Sequence, residues 1–267
     1  MSQNKKQYNE PSLTVEELSK ALYESNLKLN NIMHERDDFY KNISHDLRSP
    51  IAAIRGAIET LQSSPDIDKE RVTELYSLID SKTRSLEHMI NELFFLTKIS
   101  TGDSLLNQKT IPIGNYLEDF FFTTQTDSKF DSIDLQLDVP LDFSYPVDID
   151  TNYFDRVLNN LFDNAFRYLD EDGFIRLGAS VDEEKKNVSI TVTDNAIGIP
   201  AEVLPRIFER SFMVDSSRNP SKDKGAGLGL SICKTITELH GGTISCESKT
   251  GSDHGTAFTI TLPVSRS

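Results

Sequence analysis

Two runs of apolar residues spaced alternately by three and four constrain the fold of this 267-residue chain more than any other feature. The first is Val15, Leu18, Leu22, Ser25, Leu29, Ile32, Arg36, Phe39 and Ile43, in which only Ser25 and Arg36 break the apolar pattern. That spacing keeps one stripe of a helix turned toward a partner helix. Residues 1–12 ahead of it are polar, include Pro11 and read as disordered, so they offer no domain on which an ordinary amphipathic helix would pack. A dimeric coiled coil is therefore predicted. The second run is Val72, Leu75, Ile79, Lys82, Leu86, Met89, Leu93 and Leu96. Between them, Ser63-Ser64-Pro65-Asp66 reads as the end of one helix and the start of the next, with Ser64 as cap and Pro65 at the first helical position. The result is an antiparallel helical hairpin, and hairpins from two chains would bury both seams in a four-helix bundle.

Past Ile43 the apolar positions are Leu47, Ile51, Ile54, Ile58 and Leu61, so consecutive steps of four interrupt the alternation. Such a stutter locally unwinds a coiled coil, and Pro50 removes a helix hydrogen bond and crowds the preceding turn. His45 lies at this joint, whose geometry is a route by which a signal would reach it. Imidazole is largely unprotonated at neutral pH and can attack as a nucleophile, while Asp46 can orient the ring and accept its other N–H. Taken alone, a His-Asp pair is more often a solvated helix face. His88, with no such surroundings, reads as a surface residue.

Thr101-Gly102-Asp103 marks a boundary beyond which strands and helices alternate. Strands are expected at Lys109–Pro112, Leu135–Val139, Tyr145–Val147, Phe174–Val181, Val188–Asp194, Thr243–Glu247 and Thr256–Leu262. Helices are expected over Tyr116–Thr124, from a cap at Asp150 or Thr151 to Tyr168, and from Leu228 to His240-Gly241-Gly242. This order predicts an α/β sandwich with a helical layer on one sheet. Asn160 and Asn164, four apart, share a helix face although asparagine is a poor helix former, and phosphate and Mg²⁺ coordination through their carbonyls supplies a reason. Gly225-Ala226-Gly227-Leu228-Gly229-Leu230 opens a helix, where glycines let backbone N–H groups approach a phosphate. No parallel-strand dinucleotide unit precedes it, which argues against a Rossmann site.

The formal net charge of −14 argues against direct nucleic-acid binding, which leaves a basic footprint. Cys233 and Cys246 sit in apolar contexts and read as buried small side chains of a reduced, cytoplasmic protein. No apolar run approaches a bilayer span, and Met1–Pro11 has no signal-peptide core, so a soluble polypeptide is expected.

Ser44-His45-Asp46-Leu47-Arg48-Ser49-Pro50 resembles the phosphoacceptor box of sensor histidine kinases of two-component systems. Further family boxes follow in the family's order over roughly residues 30 to 265. Asn159–Ala165 resembles the N box, whose asparagines, matched by Asn160 and Asn164, bind Mg²⁺ and phosphate; Arg167 and Tyr168 match positions that reach the nucleotide. Asp194-Asn195-Ala196-Ile197-Gly198-Ile199-Pro200 resembles the first glycine box, in which the aspartate accepts a hydrogen bond from the adenine amino group. Ala196 stands where the family usually has glycine, and is expected to strain the turn and weaken ATP binding. Phe208–Phe212 resembles the phenylalanine box, and Met213–Lys224 then reads as a lid over ATP with Arg218, Lys222 or Lys224 on the phosphates. Gly225, Gly227, Leu228 and Gly229 match the second glycine box. Gly255-Thr256-Ala257-Phe258 resembles the closing Gly-Thr-x-Phe element, with Asp253 in place of its usual preceding glycine.

The resemblance implies an α+β multi-domain chain: a dimeric antiparallel four-helix bundle with an N-terminal coiled coil, then an α/β sandwich of the histidine-kinase and gyrase-type ATPase fold. The expected divisions are a coiled-coil signalling helix over 13–38, a dimerisation and phosphotransfer domain over 39–102, and a catalytic ATP-binding domain over 103–267. It implies phosphoryl transfer from ATP, with Mg²⁺, to His45 and on to an aspartate of a response regulator receiver domain. Ser49 takes the position that orients water for dephosphorylating that regulator. The input module is expected upstream or on a partner, the chain being a cytoplasmic kinase or the soluble portion of a membrane-associated one. The competing reading is a catalytically weak dimeric scaffold that binds the regulator. An ATPase acting by dimer clamping ranks last, having no use for the His-Asp-Leu-Arg-Ser-Pro run.

Overall fold

The structure, a computed structural model, describes residues 14–63, 67–100, 106–169, 172–210, 212 and 227–265. The expectations for residues 1–12, for Ser64 and Pro65, for the boundary at Thr101–Asp103 and for the lid at 213–224 lie outside these residues. The chain divides into two compact units, Met1–Asp46 and Leu47–Ser267.

Helix α1 spans Val15–Ser63 and stays helical through the stutter and through Pro50. A capping box starts it: the Thr14 hydroxyl accepts from the Glu17 N–H, and the Glu17 carboxylate accepts from the Thr14 N–H at 2.8 Å. Leu18, Leu22 and Leu29 of its seam are exposed in the single chain. Helix α2, Lys69–Ser100, begins later than predicted. Its cap is Asp68, whose carboxylate accepts from the Arg71 N–H at 2.7 Å. Every position of its predicted seam is buried or half-buried, and α1 and α2 form the helical hairpin.

The remainder is a sandwich. Strands β2 (Asp134–Asp138), β4 (Phe174–Val181), β5 (Asn187–Asp194), β6 (Thr243–Lys249) and β7 (Gly255–Pro263) form one sheet in the order β2-β4-β5-β7-β6. All its pairs are antiparallel except β2 with β4. Strands β1 (Lys109–Pro112) and β3 (Pro146–Ile149) pair apart from it. Helices α3 (Ile113–Gln125), α4 (Thr151–Tyr168) and α5 (Gly229–Leu239) supply the apolar layer. In β5 and β7 every second residue is buried, the period of a strand with one covered face. Val188, Ile190, Val192, Ile260, Leu158, Leu161 and Ile232 are at or within 1% of complete burial. Each such side chain contributes about 1.5–3 kcal/mol, so this shared core fixes where α4 and α5 lie on the sheet.

A buried histidine then sets the ends of those two helices. His240 follows α5 and donates from Nδ1 to the Ile236 carbonyl at 2.7 Å. Its Nε2 accepts from the Asp150 N–H at 3.0 Å. Asp150 in turn caps α4 by accepting from Asn152 N–H at 3.1 Å. A neutral Nδ1–H imidazole satisfies both bonds, so the start of α4 is tied to the end of α5.

Candidate functional site

Because α4 is fixed at its start, the face carrying Asn160 and Asn164 is directed toward the beginning of α5. The Asn160 side-chain amide donates to the Gly229 carbonyl at 3.4 Å. Asn164 is half-buried one turn later. At the start of α5, Gly227 has φ +64° and the N-cap residue Leu228 makes no side-chain cap hydrogen bond, the kind of helix start at which backbone N–H groups can meet an anion. Leu228 is buried beneath them. A Cβ on Gly229 would sit 3.6 Å from Asn160, an ordinary contact, so the protein's own packing does not demand glycine there. Arg167 and Tyr168 occupy the last turn of α4, with Tyr168 exposed. Arg218, Lys222, Lys224 and Gly225 lie outside the described residues.

Asp194 ends β5 and is 4% exposed. Burial pushes its carboxyl above the ordinary range, and the backbone N–H groups of Ala196 and Thr256 draw it part of the way back. The Ala196 N–H donates to Asp194 Oδ1 at 2.9 Å. Gly198 is the residue this turn requires: its φ is +75°, and a Cβ would meet the Lys249 carbonyl oxygen at 1.8 Å. Among the described residues the non-glycine residues of positive φ are Asp142 and Lys185, and Ala196 is not one of them. The strain expected of alanine in this turn is therefore absent. Serine and histidine side chains unmarked by any motif hold the turn. Ser248 Oγ accepts from the Ile199 N–H at 2.8 Å, and the His254 ring nitrogen Nδ1 lies 2.9 Å from the Ala196 carbonyl oxygen. The only trace of His254 in the sequence is its place beside Asp253, where the closing box departs from the family pattern.

Phe208 is half-buried, its ring edge-on to Phe258 of β7 with centroids 6.3 Å apart, which anchors the phenylalanine box on the sheet. Cys233 is buried as predicted, whereas Cys246 is only half-buried. Burial pushes both thiols up to about 12, far from the range of a reactive thiolate.

On α1 the His45 side chain is 79% exposed, and Asp46 Oδ1 lies 3.5 Å from its Nδ1. That separation is long for a hydrogen bond but places a carboxylate beside one ring nitrogen. Ser49 is exposed on the same helix, and His88 is exposed on α2. No helix among the described residues is long and apolar enough to cross a membrane.

Residues 35–102 match the His Kinase A (phospho-acceptor) domain, and residues 149–266 match the histidine kinase-, DNA gyrase B- and HSP90-like ATPase family. The sensor histidine kinase YcbM of Bacillus subtilis is 36% identical over 226 residues, covering 83% of this chain and 69% of that protein. Sensor histidine kinase WalK of the same organism is 32% identical over 232 residues, but the chain spans only 37% of its length. In fold, the chain resembles histidine kinase ThkA, solved in complex with the response regulator protein TrrA. The TM-score is 0.69 at 22% identity, over 95% of this chain and 68% of that one. With both domain families matched in order and YcbM aligned over more than two thirds of its length, this chain belongs to the sensor histidine kinases.

Proposed function

We propose that the chain is an ATP-dependent protein-histidine kinase that phosphorylates His45 and passes the phosphoryl group to an aspartate of a response regulator. The observation that carries this reading is the exposed imidazole of His45 with a carboxylate beside Nδ1. Asp46 faces Nδ1–H as an acceptor and keeps that proton on the ring, which leaves the Nε2 lone pair to attack the γ-phosphorus as the bond to the ADP oxygen breaks. The positive charge left on the ring is stabilised by the same carboxylate. At the nucleotide, Asp194 accepts from the adenine amino group, and the N–H groups opening α5 face the phosphates. Asn164 and Asn160 would hold Mg²⁺, and Arg167, Tyr168 and a lid cation such as Arg218 would complete the site. When bound, Mg²⁺ neutralises charge spread over the phosphates. A glycine at position 229 that packing does not require supports close approach of a ligand there.

The hairpin pairs with that of a second chain, with 13–38 as signalling coiled coil, 39–102 for dimerisation and phosphotransfer, and 103–267 for catalysis. Ser49 orients water for regulator dephosphorylation. The ThkA complex supports a receiver domain as the partner. ATP consumption places the reaction in the cytoplasm, whatever input module the kinase works with. The weak-scaffold reading rested on Ala196, and with no positive φ there, nothing favours it. Incubation with γ-labelled ATP is expected to give one acid-labile, base-stable label, absent from His45→Gln and transferable to a receiver domain. Labelling that persists in His45→Gln would overturn the assignment.

A further inference from the structure

The geometry points to His254 as a positioning residue for the adenine end of the ATP site, an inference that rests on the kinase reading above. His254 lies in the turn between β6 and β7, next to the turn that follows Asp194. A carbonyl oxygen can only accept, so the 2.9 Å contact with Ala196 is donation from a protonated Nδ1. Ala196 is then held at both backbone groups: its carbonyl by His254, and its N–H by Asp194 Oδ1 at 2.9 Å. Two bonds thus connect His254 to the carboxylate that reads adenine. The flanks of this turn are held by backbone crowding, since a Cβ on Gly198 would meet Lys249 O at 1.8 Å and one on Gly255 would meet Asp194 O at 2.5 Å. Ala196, between these flanks, has a carbonyl whose partner is a side chain. His254 is itself exposed, so truncating it opens no cavity in the core.

Adenine is remote from the reacting phosphate, and a loosened adenine contact weakens ground state and transition state alike. His254→Ala in the full chain is therefore expected to raise the half-saturating ATP concentration for His45 labelling about three- to tenfold, with the maximal rate unchanged. Asparagine carries its N–H on Nδ2, bonded to Cγ as Nδ1 is in histidine, and His254→Asn is expected to restore wild-type saturation. An unchanged half-saturation point in His254→Ala, or a loss of maximal rate with saturation unchanged, would overturn the role. So would His254→Asn behaving as His254→Ala. Absence of labelling by the wild-type chain would overturn the kinase reading and this inference with it.

Discussion

Asp194 is placed where folding and binding make opposite demands on one carboxyl. Burial raises its pKa against the pull of two backbone N–H groups. A carboxyl whose folded pKa is raised favours folding when protonated, and that contribution is present below the unfolded pKa and lost as pH rises through the folded one. At neutral pH the ionised form therefore costs stability, while the adenine recognition proposed for Asp194 would need it. Asp194→Asn is expected to melt no lower than wild type at pH 7 and to lose ATP binding. In the wild type, ATP affinity measured by calorimetry should fall on acidification at a pH above the ordinary carboxylate range. Retained binding in Asp194→Asn with lower melting would contradict both halves. Two residues on, the substitution that family comparison recommends loses its rationale. With no positive φ at Ala196 and only 4% exposure, Ala196→Gly adds backbone freedom and removes a buried methyl. It should destabilise by about 1 kcal/mol and leave ATP binding no tighter. Severalfold tighter binding in a titration would restore the strain argument.

Elements defined by local periodicity were legible in the sequence, and those defined by pairing were not. The boundaries of β1 and β4 agree with alternation and turn chemistry, and α4 starts at the Asp150 cap that the sequence offers. The separate β1–β3 pair and the parallel register of β2 on β4 depend on chain segments distant in sequence, which no local pattern encodes. The same holds in the site. Asn160, Asp194 and Gly198 lie in recognisable boxes, but His254 acquires its role only from a contact 58 residues away. A further non-local tie joins α2 to α4. The Arg156 guanidinium is 3.3 Å from Glu92 Oε1 and 3.9 Å from the Phe95 ring centroid, and Phe95 lies 5.2 Å from the Tyr153 ring. The Glu92 side chain is only 5% exposed, so losing its partner strands a buried carboxylate. Arg156→Ala is expected to cost about 3 kcal/mol in urea denaturation, while Glu92→Leu combined with Arg156→Leu should recover most of it. A single-variant cost under about 0.5 kcal/mol would show that water already screens the pair.

At the scale of the whole molecule, the apolar seam at the start of α1 stands exposed among the described residues, and the dimer proposed above would cover it. Leu18, Leu22 and Leu29 are 55%, 65% and 54% exposed, in step with a heptad that turns them to one side. A sustained stripe of this kind is stable in water when a second helix covers it. An aspartate at position 29 would have to be desolvated, or else hold the helices apart, whenever the seam closed. Leu29→Asp is therefore expected to weaken the dimer by sedimentation while leaving the sandwich, whose core lies in other segments, with wild-type melting and ATP binding. Asn164→Ala gives the converse pattern, because Asn164 belongs to α4 and neither helical seam includes it. That variant should sediment as wild type and fail to label His45. If Leu29→Asp left dimer affinity unchanged, the upstream heptads would not be part of the interface. If Asn164→Ala dissociated the dimer, the division between a dimerising hairpin and a catalytic sandwich would be wrong.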